Sequence, residues 1–179
     1  MCLIITTVAF AVSSCKQTSE QELRDNEANL LAKYIAKYHP DVTPKSSGLY
    51  FIETKAAANP SDTIKKGDLV KVFYRGYLIE DDVTAGIRDG YEFDASGEFE
   101  PFSLTVGAGS VISGWDEAMT YMKDGSEAKL VIPSKLAYSS QQQSTIPQYS
   151  TLVFYIKICR VYRSTDVWPT IEIHPKNSN

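Results

Sequence analysis

Between Glu20 and Tyr38 the apolar residues Leu23, Leu30, Leu31, Tyr34, Ile35 and Tyr38 recur at roughly helical spacing, which predicts an amphipathic helix. Pro40 and Pro44 close that pattern. The polar residues 16–29 read as the start of a flexible tether, and 48–55 (GLYFIETK) as a short extended run. A turn-rich linker follows around Asn59-Pro60-Ser61-Asp62. A piece of this size cannot hold a core of its own and is expected to pack on what comes next.

From Lys65 onward the period changes to two. Val70, Val72 and Tyr74 share one face of a strand, and Lys71, Phe73 and Arg75 the other. The same alternation recurs at Phe102, Leu104 and Val106, at Leu130 and Ile132, and at Phe154, Ile156 and Ile158. Four such strands need a cover for their apolar faces; the opposite faces read as solvated. Trp115, Ala118, Met119 and Met122 fall at i, i+3, i+4 and i+7, one stripe of a short helix over Gly114–Met122. Asp116 and Glu117 sit in its first turn, Lys123 in its last and Gly125 just beyond. The fold class this predicts is α+β: an antiparallel sheet wrapped around one short helix, with a short N-terminal helical extension.

Composition narrows the function classes. The 179 residues suit one compact domain plus an appendage. The net charge is −4 and no block of Lys and Arg stands out, which argues against an electrostatic grip on nucleic acid. His39 and His174 are the only histidines, and both lie outside the central region. A multi-His metal site or a Ser–His–Asp triad therefore has little to build on, and no metal or cofactor is expected.

Residues 1–11 (MCLIITTVAFA) form an uncharged apolar run, too short for a permanent membrane span of about 20 residues. The run closes with Val12-Ser13-Ser14-Cys15 and then turns polar, which resembles the lipobox of bacterial lipoproteins. The resemblance implies a signal peptide over 1–14, lipidation of Cys15, and a place in the bacterial cell envelope, in the periplasm or at the outer membrane. Cys159 would then stand alone, without a partner for an intramolecular disulfide. The division expected is 1–14 signal, 15–64 tether, helix and extended segment, 65–163 central domain and 164–179 tail.

The central region carries a series of blocks: 72–78 (VFYRGYL), 89–96 (DGYEFDAS), 101–102 (PF), 106–117 (VGAGSVISGWDE), 122–125 (MKDG), 132–133 (IP), 136–138 (LAY), 146–147 (IP) and 151–154 (TLVF). In that order and spacing they resemble the FKBP-type peptidyl-prolyl cis–trans isomerases over about residues 65–163. The resemblance implies an apolar pocket lined by Tyr74, Phe93, Phe102, Val111, Ile112, Trp115, Tyr138, Ile146 and Phe154, with Asp94 as its one carboxylate. It implies Trp115 as the floor beneath a substrate proline ring, with the Tyr138 hydroxyl and the Ile112 N–H as donors to substrate or inhibitor carbonyls. It assigns Tyr74, Asp94 and Tyr138 to catalysis and the remainder to substrate binding. Proline-containing polypeptides are the implied partners, with macrolides as possible inhibitors.

The chemistry suits these residue types. An X–Pro amide rotates over a barrier of about 18–20 kcal/mol because rotation breaks C–N conjugation. No proton need move and no covalent intermediate forms, so the missing nucleophile is no objection. A dry aromatic cleft removes water that solvates the planar amide better than the twisted one.

Taken singly, the same residues read otherwise. Trp115 alone is a core tryptophan, Asp94 a turn carboxylate, and Gly107-x-Gly109 a turn that lacks phosphate-loop spacing. Several positions also depart from the family pattern. Ser139 stands where a glycine is usual, and residues 139–145 (SSQQQST) replace a Gly-rich segment that is usually slightly longer. Residues 97–100 carry no basic side chain, and residues around Ile79–Ile87 are inserted. These changes are read as loops, bearing on rate and preference more than on fold. The expected function is an isomerase assisting the folding of exported proteins. The alternatives are a non-catalytic FKBP-like chaperone or scaffold binding proline-containing segments, and a structural part of a surface machine. The N-terminal helix is short beside the dimerisation arms of some envelope FKBPs, so a monomer is expected.

Overall fold

The computed structural model describes residues 19–59 and 61–165. Cys15, the preceding apolar run, Pro60 and the end of the C-terminal tail lie outside those residues. The elements are α1 (Glu20–Tyr38), β1 (Tyr50–Lys55), β2 (Leu69–Asp82), β3 (Gly86–Ala95), β4 (Phe102–Thr105), α2 (Ser113–Met119), β5 (Glu127–Ile132) and β6 (Leu152–Tyr162). A 3₁₀ turn occupies Ser134–Leu136. All strand pairs are antiparallel, in the order β1-β5-β6-β2-β3, with β4 pairing the first part of β2. The architecture is α+β, as the alternation and the Trp115 stripe predict.

The helix α1 starts one turn into the stretch read as a tether. Ser19 and Glu22 form a capping box, the Ser19 hydroxyl accepting the Glu22 N–H at 3.2 Å and the Glu22 carboxylate accepting the Ser19 N–H at 2.8 Å. The helix runs over Glu20–Tyr38, the span that the apolar spacing predicts, so of the residues read as the start of a tether those from Glu20 onward are helical. At the other end the His39 N–H bonds the Ile35 carbonyl at 2.8 Å, and Pro40 cannot continue the helix.

The inner face of the sheet buries Val70, Val72, Leu104, Leu130, Ile132, Ile156 and Ile158 against Trp115, Ala118, Met119 and Met122 of the α2 region. Here α2 ends at Met119, earlier than the apolar spacing predicts. Tight turns follow, Tyr121 N–H to Ala118 O at 3.0 Å and Met122 N–H to Met119 O at 3.1 Å, and they still deliver Met122 into the core. The i+7 position is thus met by burial rather than by helix, and Lys123 lies outside the helix.

The outer face is not solvated, contrary to the simple alternation. Val131 and Val153 are fully buried there, together with Tyr34 and Ile35 of α1 and Ile87 of β3. At its centre Lys129 is 7% exposed. Its ammonium lies 3.6 Å from the Asp89 carboxylate and 4.8, 5.0 and 5.5 Å from the ring centroids of Tyr155, Tyr34 and Tyr38. Asp89 also accepts the hydroxyls of Tyr34 and, at 2.6 Å, of Tyr155. Burial holds the Lys129 amine below its ordinary range and pushes both phenols up. A lysine in a strand reads as surface; three tyrosines and one carboxylate make its burial tolerable.

The residues around Ile79–Ile87 are not a loop. They prolong β2 and β3 into a hairpin whose turn is set by Asp82, its carboxylate accepting the N–H groups of Thr84 and Ala85 at 2.8 Å each. The extension grips α1. Lys37 and Tyr38 donate to the Ile87 carbonyl at 2.7 and 2.9 Å, and Lys33 pairs with Asp81 at 2.7 Å. The strand β1 pairs with β5, so the sheet draws its edge from before residue 65.

Candidate active site

The inner face is not fully covered. Near the N-terminus of α2 a cavity of about 210 Å³ opens, and Trp115 forms part of its wall while remaining only 4% exposed. Tyr74 meets the indole edge-on, ring centroids 5.1 Å apart at 86°. Phe154 does the same from β6, at 5.1 Å and 86°, and Phe102 closes the group at 6.2 Å and 83°. Phe93 stands perpendicular to Phe154 at 5.5 Å. These edge-to-face contacts lock each ring against its neighbour, so the walls are held apart rather than collapsing inward. The indole Nε1 is buried with no hydrogen-bond partner among the described residues.

The polar groups around this aromatic box are few. The Tyr74 hydroxyl donates to the Asp94 carboxylate at 2.7 Å. Burial pushes the Tyr74 phenol up, reinforced by that hydrogen bond, and burial raises Tyr138 as well, with the Asp94 charge adding to it. Both phenols therefore stay protonated donors at neutral pH. Neither the Tyr138 hydroxyl nor the Ile112 N–H has a protein partner among the described residues. Two unengaged donors and a carboxylate-held phenol around an apolar hollow suit a ligand with carbonyls flanking an apolar ring.

The backbone explains why these side chains converge. Val111 and Ile112 arrive on the loop between β4 and α2, which wraps the Asp116 carboxylate. Asp116 accepts the Gly107 N–H at 2.8 Å and the Gly109 N–H at 3.3 Å. The glycine loop thus cradles the chain's own carboxylate, in line with the turn read there. Glu117 diverges from Asp116 and instead accepts from Ser47 and Tyr121 at 2.8 and 3.0 Å. Gly76 is required by close approach: a Cβ there would lie 2.7 Å from Phe154 Cε1 and from Phe93 Cζ.

The cavity brings together Tyr74, Phe93, Asp94, Phe102, Val111, Ile112, Trp115, Tyr138 and Phe154. Ile146 is absent from its wall. It is 6% exposed and buried among the core side chains, because the short loop closes on itself through Gln143 N–H to Ile146 O at 3.0 Å and Tyr149 N–H to Ser139 O at 2.8 Å. Ser110 takes a place in the lining instead. It directly precedes Val111 in the quoted run, where a small polar residue gave no signal of its own. Ser139 adopts φ +54°, the left-handed region a glycine enters freely, which fits the glycine usual at that position. A larger depression of about 500 Å³ lies on the outer face between Phe73, Arg75, Tyr155 and Lys157. Its walls are charged and paired, Arg75 with Glu92 and Lys157 with Glu127, and it lacks a box of rings. Size alone does not make it the site.

Comparison with known proteins agrees with this geometry. Residues 61–159 match the profile of a family described as FKBP-type peptidyl-prolyl cis-trans isomerase. A protein named FK506-binding protein from Neisseria meningitidis serogroup C is 37% identical over 99 residues, covering 54% of this chain and 83% of that protein. FK506-binding protein 4 of Gibberella zeae is 40% identical over 99 residues, covering 55% of this chain but 18% of that much longer protein. A crystal structure of a peptidyl-prolyl cis-trans isomerase from Pseudomonas syringae pv. tomato superimposes with a TM-score of 0.66 at 28% identity, covering 83% of this chain and 99% of that one.

Proposed function

The chain belongs to the FKBP-type peptidyl-prolyl cis-trans isomerase family, and from that premise we propose that it turns X–Pro bonds of exported polypeptides at the Trp115 cavity while anchored by lipid at Cys15. The observation that carries the catalytic part is the ring box itself, with the Tyr138 hydroxyl and the Ile112 N–H unengaged beside it. The proline ring sits over the indole, between Tyr74 and Phe154, and its preceding carbonyl turns against the rings where water cannot follow. The planar amide keeps its charge separation through conjugation and is the better solvated form. Excluding water therefore raises the ground state relative to the twisted state, and the barrier of about 18–20 kcal/mol falls. The donors hold the flanking carbonyls so that only the C–N bond turns. Tyr74, fixed by Asp94, keeps the wall in place.

A peptide assay coupled to a protease specific for the trans isomer tests the activity. The folded full chain accelerates X–Pro isomerisation above background, and Asp94→Val reduces it. A folded chain that binds proline-containing peptides without any acceleration would make the cavity a binding module. Two further parts of the proposal rest on the sequence alone. Palmitate labelling lost in Cys15→Ser tests the anchor, and light scattering at the monomer mass tests the oligomeric state.

A further inference from the structure

Helix α1 precedes the family-matched residues 61–159, yet one of its faces reaches the loop beside the cavity. Glu20, Arg24 and Glu27 stand at i, i+4 and i+7, a single stripe. Glu27, half-buried, accepts the Ser134 N–H at 2.6 Å, the Ser134 hydroxyl at 2.7 Å and the Thr151 hydroxyl at 2.9 Å. Ser134 opens the 3₁₀ turn that leads into Tyr138, and Thr151 leads into β6 and Phe154. The two are the feet of the intervening loop, and one carboxylate joins them. Higher up, the Tyr149 hydroxyl donates to Glu20 at 2.7 Å and Arg24 lies 4.6 Å over the Tyr149 ring. Tyr149 holds φ +54°, a costly conformation for a bulky residue, and its N–H bonds the Ser139 carbonyl at 2.8 Å. A strained turn persists only where its surroundings over-determine it, and here α1 supplies those surroundings.

We propose that Glu27 is a positioning residue for the isomerase: by tying Ser134 to Thr151 it sets the loop that presents Tyr138 to the cavity, so that the N-terminal helix presets a wall of the active site. The inference rests on the functional reading above. The stripe gives three of the polar residues in the first half of α1 a tertiary contact. These three, Glu20, Arg24 and Glu27, reach that loop, while Gln21, Glu22 and Asp25 remain exposed. What matters is hydrogen-bond geometry rather than charge, since all three bonds run from backbone or hydroxyl donors. Glutamine can meet the same partners, its oxygen accepting from Ser134 N–H and Thr151 while its amide donates to the Ser134 hydroxyl.

The test uses the full chain, with kcat/KM for an X–Pro peptide and amide hydrogen exchange read together. Glu27→Ala lowers kcat/KM on the order of tenfold, as a displaced wall group does. It speeds exchange at the Ser139 and Tyr149 amides while those of Leu130 and Ile156 in the sheet stay protected. Glu27→Gln restores both readouts. Thr151→Val, which removes one bond and keeps the shape, gives a smaller change in the same direction and serves if the alanine variant does not fold. Lys33→Ala, which breaks an α1 contact remote from the loop, leaves kcat/KM unchanged. Wild-type kcat/KM in Glu27→Ala, unaltered exchange at Ser139 and Tyr149, or a glutamine variant as impaired as the alanine one would each overturn the proposal. Absence of turnover in the wild-type chain would instead sink the isomerase reading, and the exchange data would still decide whether Glu27 holds the loop.

Discussion

On the inner face of the sheet the seven residues of α2 cover only part of the strands, whereas on the outer face the nineteen residues of α1 run along them. At about 1.5 Å per residue α2 is roughly a third the length of α1. The short cover leaves an opening near its N-terminus, and rigid rings line that opening instead of filling it. Under the long cover Tyr34, Tyr38 and Tyr155 close around Lys129 and Asp89, and a hollow of about 210 Å³ beside Leu23, Glu27 and Leu30 has Tyr149 as the one aromatic ring in its wall among the described residues. Both faces use perpendicular aromatic rings and buried polar groups. On the outer face the Tyr34 and Tyr155 hydroxyls and the Lys129 ammonium converge on Asp89; on the inner face the Ile112 N–H and the Tyr138 hydroxyl have no protein partner among the described residues.

The comparison can be broken hardest at Trp115, which serves as inner-face core and cavity wall at once. Trp115→Ala costs about 3–5 kcal/mol in urea unfolding and removes isomerase activity together with stability. The outer face separates the two. Tyr34→Phe deletes one donor to Asp89 and lowers stability by about 1.5–3 kcal/mol, with kcat/KM unchanged in the same preparation. Asp94 is the converse case, exposed and bonded to Tyr74. Asp94→Asn lowers kcat/KM about tenfold, equivalent to about 1.4 kcal/mol of transition-state stabilisation, while the unfolding midpoint stays within about 0.5 kcal/mol. The smallest effect belongs to the loop. Ser139→Gly relieves a left-handed backbone and raises stability by less than about 1 kcal/mol, the gain being partly offset by the freer unfolded chain. A fall in the melting temperature of that variant would show that the Ser139 backbone is not strained.

Much of the inner face is legible in the sequence. Period-two alternation at Val70, Val72 and Tyr74 and the Trp115–Ala118–Met119 stripe are local signals, because backbone geometry alone decides which side chains share a face. The blocks from 72–78 to 151–154 marked the cavity residues by their order. The outer face was harder to read. Lys129 sits at a position that alternation assigns to solvent, and only the arrival of α1 buries it. Residues around Ile79–Ile87 read as an inserted loop, whereas they form a hairpin, turned by Asp82, that grips that helix. Ile146 was placed on the cavity by order, and the closure of its loop moved it into the core.

By itself, then, the chain determined the alternating strands β2, β4, β5 and β6, the apolar stripe of its short helix, the ring types around Trp115 and the family it joins, since each depends on neighbours a few residues away or on a run of matching blocks. Only the tertiary structure decided that Glu27 meets Ser134 and Thr151, across 107 and 124 positions of sequence, and that three tyrosines close around Lys129. Hydrogen bonds and ring contacts between distant elements depend on how those elements are docked, and no local pattern encodes a docking angle.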